Sequence, residues 1–491
     1  MRKTKITRRN LLEAAAAIAL SARAAYGQRR EAATKDSAGS ALALARILNK
    51  PNIADLPAPA IDYAKILLAS TFASAAAGSK IRSAGIIRDL AKEQGGKPEA
   101  IIWFDGAKLP ITSAARVNAM LSDAAASDDS DLRNVAHTGT CLTAVGLALG
   151  ERTGATGQDV LCAMVMGYEA AGRIGEALGQ SGGAVSGNVS RGFHASMIVA
   201  FGGVVTASKL LRLTDEQMGH AIAMTATTMG GLFIGTNSWA REYHAGNAAL
   251  CGVNAALAAG RGYTVNDDML ENPGGFLAVF GGHSPDTTSL TRQGTQPYEI
   301  TKYLAIKLVP GAHPLQPAVE AAINAAKQAN VAPEEIAKIL VSGPQILVGA
   351  GTKPPKDMIE AIHSLPYFLA SAVADRDFSW VHVTPEKIHR PVVAQLIALV
   401  ESDPAPQPVH YDWSWGATVT IVTKSGARFT NTIDAPKGSA PRGIEWKDVE
   451  AKYRALMPES GLAAKRTEEA LKMMHDFDRV QKVSQLTSLL A

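Results

Sequence analysis

From about Asp62 to the neighbourhood of Lys302, apolar residues recur at three- and four-residue spacing, the signature of helices that bury one face. The clearest stretch runs from Thr156 to Leu178, where Leu161, Met164, Val165, Tyr168, Ala171, Ile174 and Leu178 keep that period. Thr156 with Asp159 supplies a start signal, a hydroxyl and a carboxylate three residues apart that can satisfy each other's backbone N–H groups. The same spacing predicts helices over 62–77, 196–211, 214–229 and 245–260, joined by glycine-containing turns. After about Leu304 the texture changes. Pro317 to Asn330 reads as a helix, Ile336 to Val341 as a short strand, and Thr418 to Thr423 with Ala427 to Ile433 alternates across Lys424-Ser425-Gly426 as a hairpin. Three prolines between Pro404 and Pro408 mark a loop, Ala435 to Arg442 an exit linker, and helical periodicity returns from Trp446 to Leu490. The expected fold class is mainly α: a large helical domain built from 41–303 and 444–491, interrupted by a smaller α+β domain over 304–443.

Composition makes this a soluble-type globular chain. Of its 491 residues 47% are hydrophobic and 19% charged, enough for a large core, and a single core rarely grows beyond about 250 to 300 residues, so two domains are expected. Residues 1–27 read as a twin-arginine export signal: Arg8-Arg9, Leu11-Leu12, an alanine-rich stretch and a small-residue end at Ala25-Tyr26-Gly27. The apolar run from Ala14 to Leu20 is far shorter than the ~20 residues needed to span a bilayer, so it reads as an address label and not a membrane anchor. A periplasmic protein is expected. The leader carries six basic residues and one acid, so its removal changes the net charge from +4 to −1 and takes away the argument for nucleic acid or an anionic membrane surface. The three cysteines, Cys141, Cys162 and Cys251, have no metal-type spacing and read as buried thiols.

Four segments concentrate groups that can move protons or hold anions. In the first, Asp128-Asp129-Ser130-Asp131 precedes His137-Thr138-Gly139; the residues fit either a solvated acidic loop before a helix-start histidine or a histidine oriented by carboxylates. In the second, Ser190 to His194, a glycine lets backbone approach a ligand and His194 can donate or take a proton. The third holds Arg241, a planar fork for a carboxylate, and His244, which shares a face with it if both lie in the first turn of the following helix. The fourth, Lys307 to Pro317, puts Lys307 and His313 on a proline-stiffened connection where the two textures meet, and ligand sites favour such clefts. Each has a bland alternative: a surface ion pair, a packed histidine or a rigid linker. His220, His283, His363, His382, His389, His410 and His475 lack partners at diagnostic spacing and read as structural or surface residues. Glycine pairs such as Gly182-Gly183 and Gly230-Gly231 are weak signals. The chain contains no P-loop, HExxH, nucleophile elbow or strand-linked GxGxxG, so metal-free acid–base chemistry without a cofactor is expected.

Taken in order, these segments resemble the MmgE/PrpD family. The resemblance also runs through Leu56-Pro57 to Gly78-Ser79, Gly192-Phe193-His194, His244 to Ala249, Gly260 to Thr264, Gly274-Gly275-Phe276, Glu360-Ala361 with Ser364-Leu365-Pro366-Tyr367, and Trp446 to Leu456. It implies a helical domain interrupted by an α+β lid, with the active site between them, in a metal-free homodimer. It also implies a lyase, a dehydratase or decarboxylase, acting on a small di- or tricarboxylate. On that resemblance His137, His194, Lys307 and His244 are the expected catalytic residues and Arg241, Ser130 and His313 the expected substrate contacts. Three positions depart from the family pattern: Ala126 where an aspartate is usual, Arg241 where a lysine is usual, and Gln316 where many members have histidine. Arg241 keeps a charge but cannot act as a proton donor. An epimerase or isomerase of a dicarboxylate, or a noncatalytic carboxylate-binding protein, are the competing readings.

Overall fold

The three- and four-residue apolar spacing is realised as helices in the computed structural model, which describes residues 39–179, 192–281, 286–294, 297–346, 348 and 353–491. The leader, Gly182-Gly183, Ser190-Arg191 and His283 lie outside the described residues. The helices that build the site are α1 (Ala58–Gly78), α2 (Ile111–Ala124), α3 (Thr138–Thr153), α4 (Gly157–Ala177), α5 (Ser196–Leu210), α6 (Asp215–Thr228) and α7 (Ala240–Ala259). The start of α4 is the expected capping box: Thr156 Oγ1 accepts from the Asp159 N–H and Asp159 Oδ2 from the Thr156 N–H. Helix α7 begins five residues before the apolar spacing does, because the polar pair Arg241 and Glu242 is itself buried in its first turn. Close packing of α5 on α7 rests on small residues. A methyl at Gly252 would lie 2.7 Å from the Val204 nitrogen, so the two backbones approach as only glycine allows.

Two short strands fix the site. β1 (Asp129–Asp131) pairs antiparallel with β2 (Leu304–Ile306), Ser130 opposite Ala305, and the pairing is prolonged where the Lys307 N–H donates to the Asp128 carbonyl at 3.1 Å. The acidic stretch is therefore no solvated loop. Asp128, Asp129, Ser130 and Asp131 are all buried. Leu304 and Ile306 bury into the helical core, so the structure carries that core past the expected change of texture at 304; the second core begins only at Ala318.

That second core is built by α8 (Gln316–Ala329), β3 (Ile336–Ser342), α9 (Leu365–Asp375), β4 (Val400–Ser402), β5 (Ala417–Thr423) and β6 (Arg428–Ile433). The sheet order is β4-β3-β5-β6, with β3 and β4 parallel and the other pairs antiparallel; β5 and β6 form the expected hairpin. Thr418 and Thr420 of β5 hydrogen-bond to Thr432 and Thr430 across it. Beyond it, α10 (Trp446–Leu456) and α11 (Ala464–His475) return to pack on α1 in the first core. The fold is mainly α, as expected. Among the described residues no helix is long and apolar enough to cross a membrane. The three cysteines are free; Cys141 and Cys162 are buried as expected, whereas Cys251 is only half-buried.

Candidate active site

The β1–β2 pairing brings residues 179 positions apart into one ion cluster. Asp128 Oδ1 accepts from Lys307 Nζ at 2.8 Å, and Asp128 Oδ2 lies 2.7 Å from His137 Nδ1. The second contact is a charge contact without hydrogen-bond alignment, since the aligned acceptor for that N–H is the Asp129 carbonyl at 2.6 Å. Both neighbours can only accept, so the His137 proton sits on Nδ1 and its Nε2 keeps a lone pair when the ring is neutral. Burial alone would raise the Asp128 pKa, but the charges of His137 and Lys307 outweigh it and hold the carboxyl far below its usual range. Burial, the largest single influence on His137, would lower its pKa, but the contacts with Asp128 and the charge of Asp123 together outweigh it and raise the pKa. Asp129 next door behaves oppositely: burial and the Asp128 charge push it up to about 7, while both its oxygens accept from the Gly139 N–H at the start of α3.

A cavity of about 200 Å³ opens in front of this cluster, lined among others by Ala126, Val135, His137, His194, Arg241, Lys307, His313 and His363. That volume is below the ~300–1,000 Å³ typical of drug-sized sites and suits a small metabolite. Two of its wall residues, Ala126 at φ 49° and Val135 at φ 60°, hold the left-handed backbone conformation that side chains disfavour, β-branched ones most. Such outliers collect where surrounding structure enforces a functional shape.

Five of the seven expected site residues line this one cavity. His137 stands at the N-terminal cap of α3. His194, just ahead of α5, accepts from the Ser196 N–H through Nδ1 at 3.1 Å, so its proton sits on Nε2. Burial, and then the charges of its neighbours, lower its pKa to about 3, which keeps it neutral. Arg241 caps the C-terminus of α2, where its Nη2 donates to the Asp123 and Ala124 carbonyls at 2.9 and 2.8 Å and its Nε lies 3.3 Å from Asp123 Oδ2. Its Nη1 edge has no acceptor among the described residues. His313 is fully buried against Trp415 with neither ring nitrogen hydrogen-bonded among the described residues; burial and Lys307 hold its pKa well below the ordinary value.

The other two sit elsewhere. Ser130 is fully buried behind the ring, its Oγ 3.4 Å from His137 Nδ1, so it props the histidine and has no access to a substrate. His244 lies on the far side of His194, ring centroids 5.0 Å apart, and lines an adjoining cavity with Ser196, Tyr243 and Cys251. Of the departures from the family pattern, Gln316 ties the connecting loop by donating to the Val309 carbonyl at 2.9 Å. Sequence spacing put Asp128 in the first candidate segment without singling it out from its acidic neighbours, and placed His363, a cavity wall residue, among the structural histidines. It also missed Lys452 of α10, buried behind the acidic stretch, whose Nζ donates to Ser70 Oγ at 2.7 Å and to the Ser127 carbonyl. For metals, Asp123, Asp128 and His137 bring one candidate ligand atom each within 4.8 Å of one another. Lys307 on Asp128 and Arg241 on Asp123 already balance those carboxylates, so this donor set suits an ion-pair network better than a divalent ion.

The arrangement has the chemistry to accept a small anion. Arg241 and Lys307 supply positive charge, one histidine presents a lone pair backed by a carboxylate, and another presents an N–H. The profile of the MmgE/PrpD N-terminal domain matches residues 42–288, and that of the C-terminal domain matches residues 310–476. Relatives include the human protein named cis-aconitate decarboxylase, 25% identical over 393 residues that make up 78% of this chain and 80% of that protein. An Aspergillus terreus protein of the same name is 24% identical over 469 residues, 89% of this chain and 92% of its own.

Proposed function

The chain belongs to the MmgE/PrpD family, and from that premise we propose that it is a lyase that eliminates water or carbon dioxide from a small di- or tricarboxylate by proton transfer. The observation that carries this reading is the convergence of His137, Lys307, Arg241 and His194 on one small cavity, with Asp128 behind it in contact with both His137 and Lys307. Arg241 and Lys307 hold substrate carboxylates and stabilise the charge that develops when a neighbouring carbon loses its proton or its carboxylate. His137 exchanges the proton at that carbon through Nε2, with Asp128 stabilising the imidazolium. His194 donates its Nε2–H to the departing or developing oxyanion. Relatives named for cis-aconitate decarboxylation support this class of reaction. Export through the Arg8-Arg9 leader to the periplasm belongs to the same proposal, and sequencing the mature N-terminus tests it. So does a homodimer, supported by the exposed apolar run of Leu232, Phe233, Ile234, Trp239 and Tyr243.

The test is NMR of purified protein in deuterated water with a polycarboxylate panel that includes 2-methylcitrate and cis-aconitate. Net loss of water or carbon dioxide from at least one acid is the expected result. Deuterium exchange without elimination points to an epimerase or isomerase, and binding without turnover or exchange to a carboxylate-binding protein; either overturns the lyase reading.

A further inference from the structure

Two histidines in the cavity wall have their tautomers set by backbone groups of opposite kind. The Ser196 N–H makes His194 Nδ1 an acceptor, which leaves an N–H at the far edge of that ring. His363 is the reverse: its Nδ1 lies 3.0 Å from the Ile359 carbonyl, which can only accept, so the proton is on Nδ1 and Nε2 bears the lone pair. His363 follows the short helical turn Met358–Ala361. It borders both the cavity and an outer depression formed with Asn237, Lys356, Asp357, Ile359 and Glu360. Burial, and then the charge of Arg241, lower its pKa to about 4, so the lone pair is free at neutral pH.

This acceptor has no task in holding carboxylates. A lone pair facing a carboxylate repels it, and Arg241, Lys307 and His194 already provide donors for anionic oxygens. A hydroxyl is what an isolated acceptor on such a wall binds well, and a buried polar group left unpaired by a ligand penalises that ligand. We propose that His363 is a specificity residue: its Nε2 accepts a hydrogen bond from a hydroxyl on the bound polycarboxylate, so the site selects hydroxy acids over their deoxy counterparts. This rests on the carboxylate-binding reading above and adds to it the part of the substrate that the α+β portion reads.

The test is calorimetric titration of the full chain with citrate and with tricarballylate, two tricarboxylates that differ by one hydroxyl. Wild type should bind citrate about five- to tenfold more tightly, the size of one net hydrogen bond. In His363→Phe the preference should vanish. His363→Gln, which can place an amide oxygen near the Nε2 position, should keep most of it, and this separates loss of the acceptor from loss of the fold. Binding of both acids with equal affinity by wild type, or a full preference in His363→Phe, overturns this inference and leaves the carboxylate reading standing. Failure of wild type to bind either acid overturns both.

Discussion

Replacing Asp128 with asparagine removes one carboxylate that two cations share, His137 at 2.7 Å and Lys307 at 2.8 Å. Asp128 is 1% and Lys307 2% exposed, so water cannot replace what is lost. Breaking a buried pair by neutralising one partner costs about 3–5 kcal/mol, and asparagine, whose amide oxygen can still accept from Lys307, should fall at the low end. The pH dependence follows from the directions of the two shifts. The folded-state pKa of His137 is raised, so its contribution is complete below the unfolded value near 6.5 and is lost as pH rises through the folded value. The folded-state pKa of Asp128 is lowered, so its contribution is present above the unfolded value near 3.9 and is lost as pH falls through the folded one. The gap between wild type and Asp128→Asn should therefore be widest between about pH 4 and 6.5 and narrow above it, without closing, because the Lys307 contact is also lost. Activity should fall about 10²- to 10⁴-fold, because His137 loses the carboxylate that stabilises its imidazolium and with it most of the worth of a positioned acid–base group. The assays are urea unfolding of both proteins from pH 4 to 9 and kcat on whichever polycarboxylate wild type converts. A variant within threefold of wild-type kcat, or a stability gap independent of pH, would refute the role given to Asp128.

Arg241→Ala should destabilise by about 2–4 kcal/mol, since two buried carbonyls at the end of α2 lose their donor, and should raise KM more than it lowers kcat; urea unfolding and steady-state kinetics check the two halves. Ala126→Gly should stabilise by about 0.5–1 kcal/mol, because glycine occupies φ 49° without a Cβ penalty; a melting temperature lower than wild type would contradict this. Lys452 is pushed down to about 7 by burial, so wild type should gain stability as pH rises from 7 towards 10, and Lys452→Met should lose that gain in the same unfolding series.

Local pattern made much of the molecule legible. The apolar period located α4, α5 and α6 to within a residue or two, and the Thr156 capping box set where α4 starts. Histidines beside glycine or proline pointed to His137, His194 and His313, which all line the cavity. What escaped was long-range. Asp128 finds Lys307 only because two three-residue strands pair, and strands so short leave no alternation to read. Lys452 reaches Ser70 across 382 positions, and on its own helix it resembles any lysine. His363 gains its meaning from one main-chain carbonyl and from the cavity it borders, neither of which a string of residues displays. Ser130 failed in the opposite direction, since its neighbours in sequence are the site's own but its hydroxyl faces the back of the imidazole.

In the proposed reaction everything turns on His137 moving the proton at the carbon beside a substrate carboxylate. Proton NMR of wild type and His137→Gln in deuterated water, with the acid that wild type turns over and with binding measured alongside, tests it most directly. His137→Gln should still bind the acid but exchange or eliminate at that carbon at least about 100-fold more slowly. Exchange and turnover at the wild-type rate in His137→Gln would contradict it.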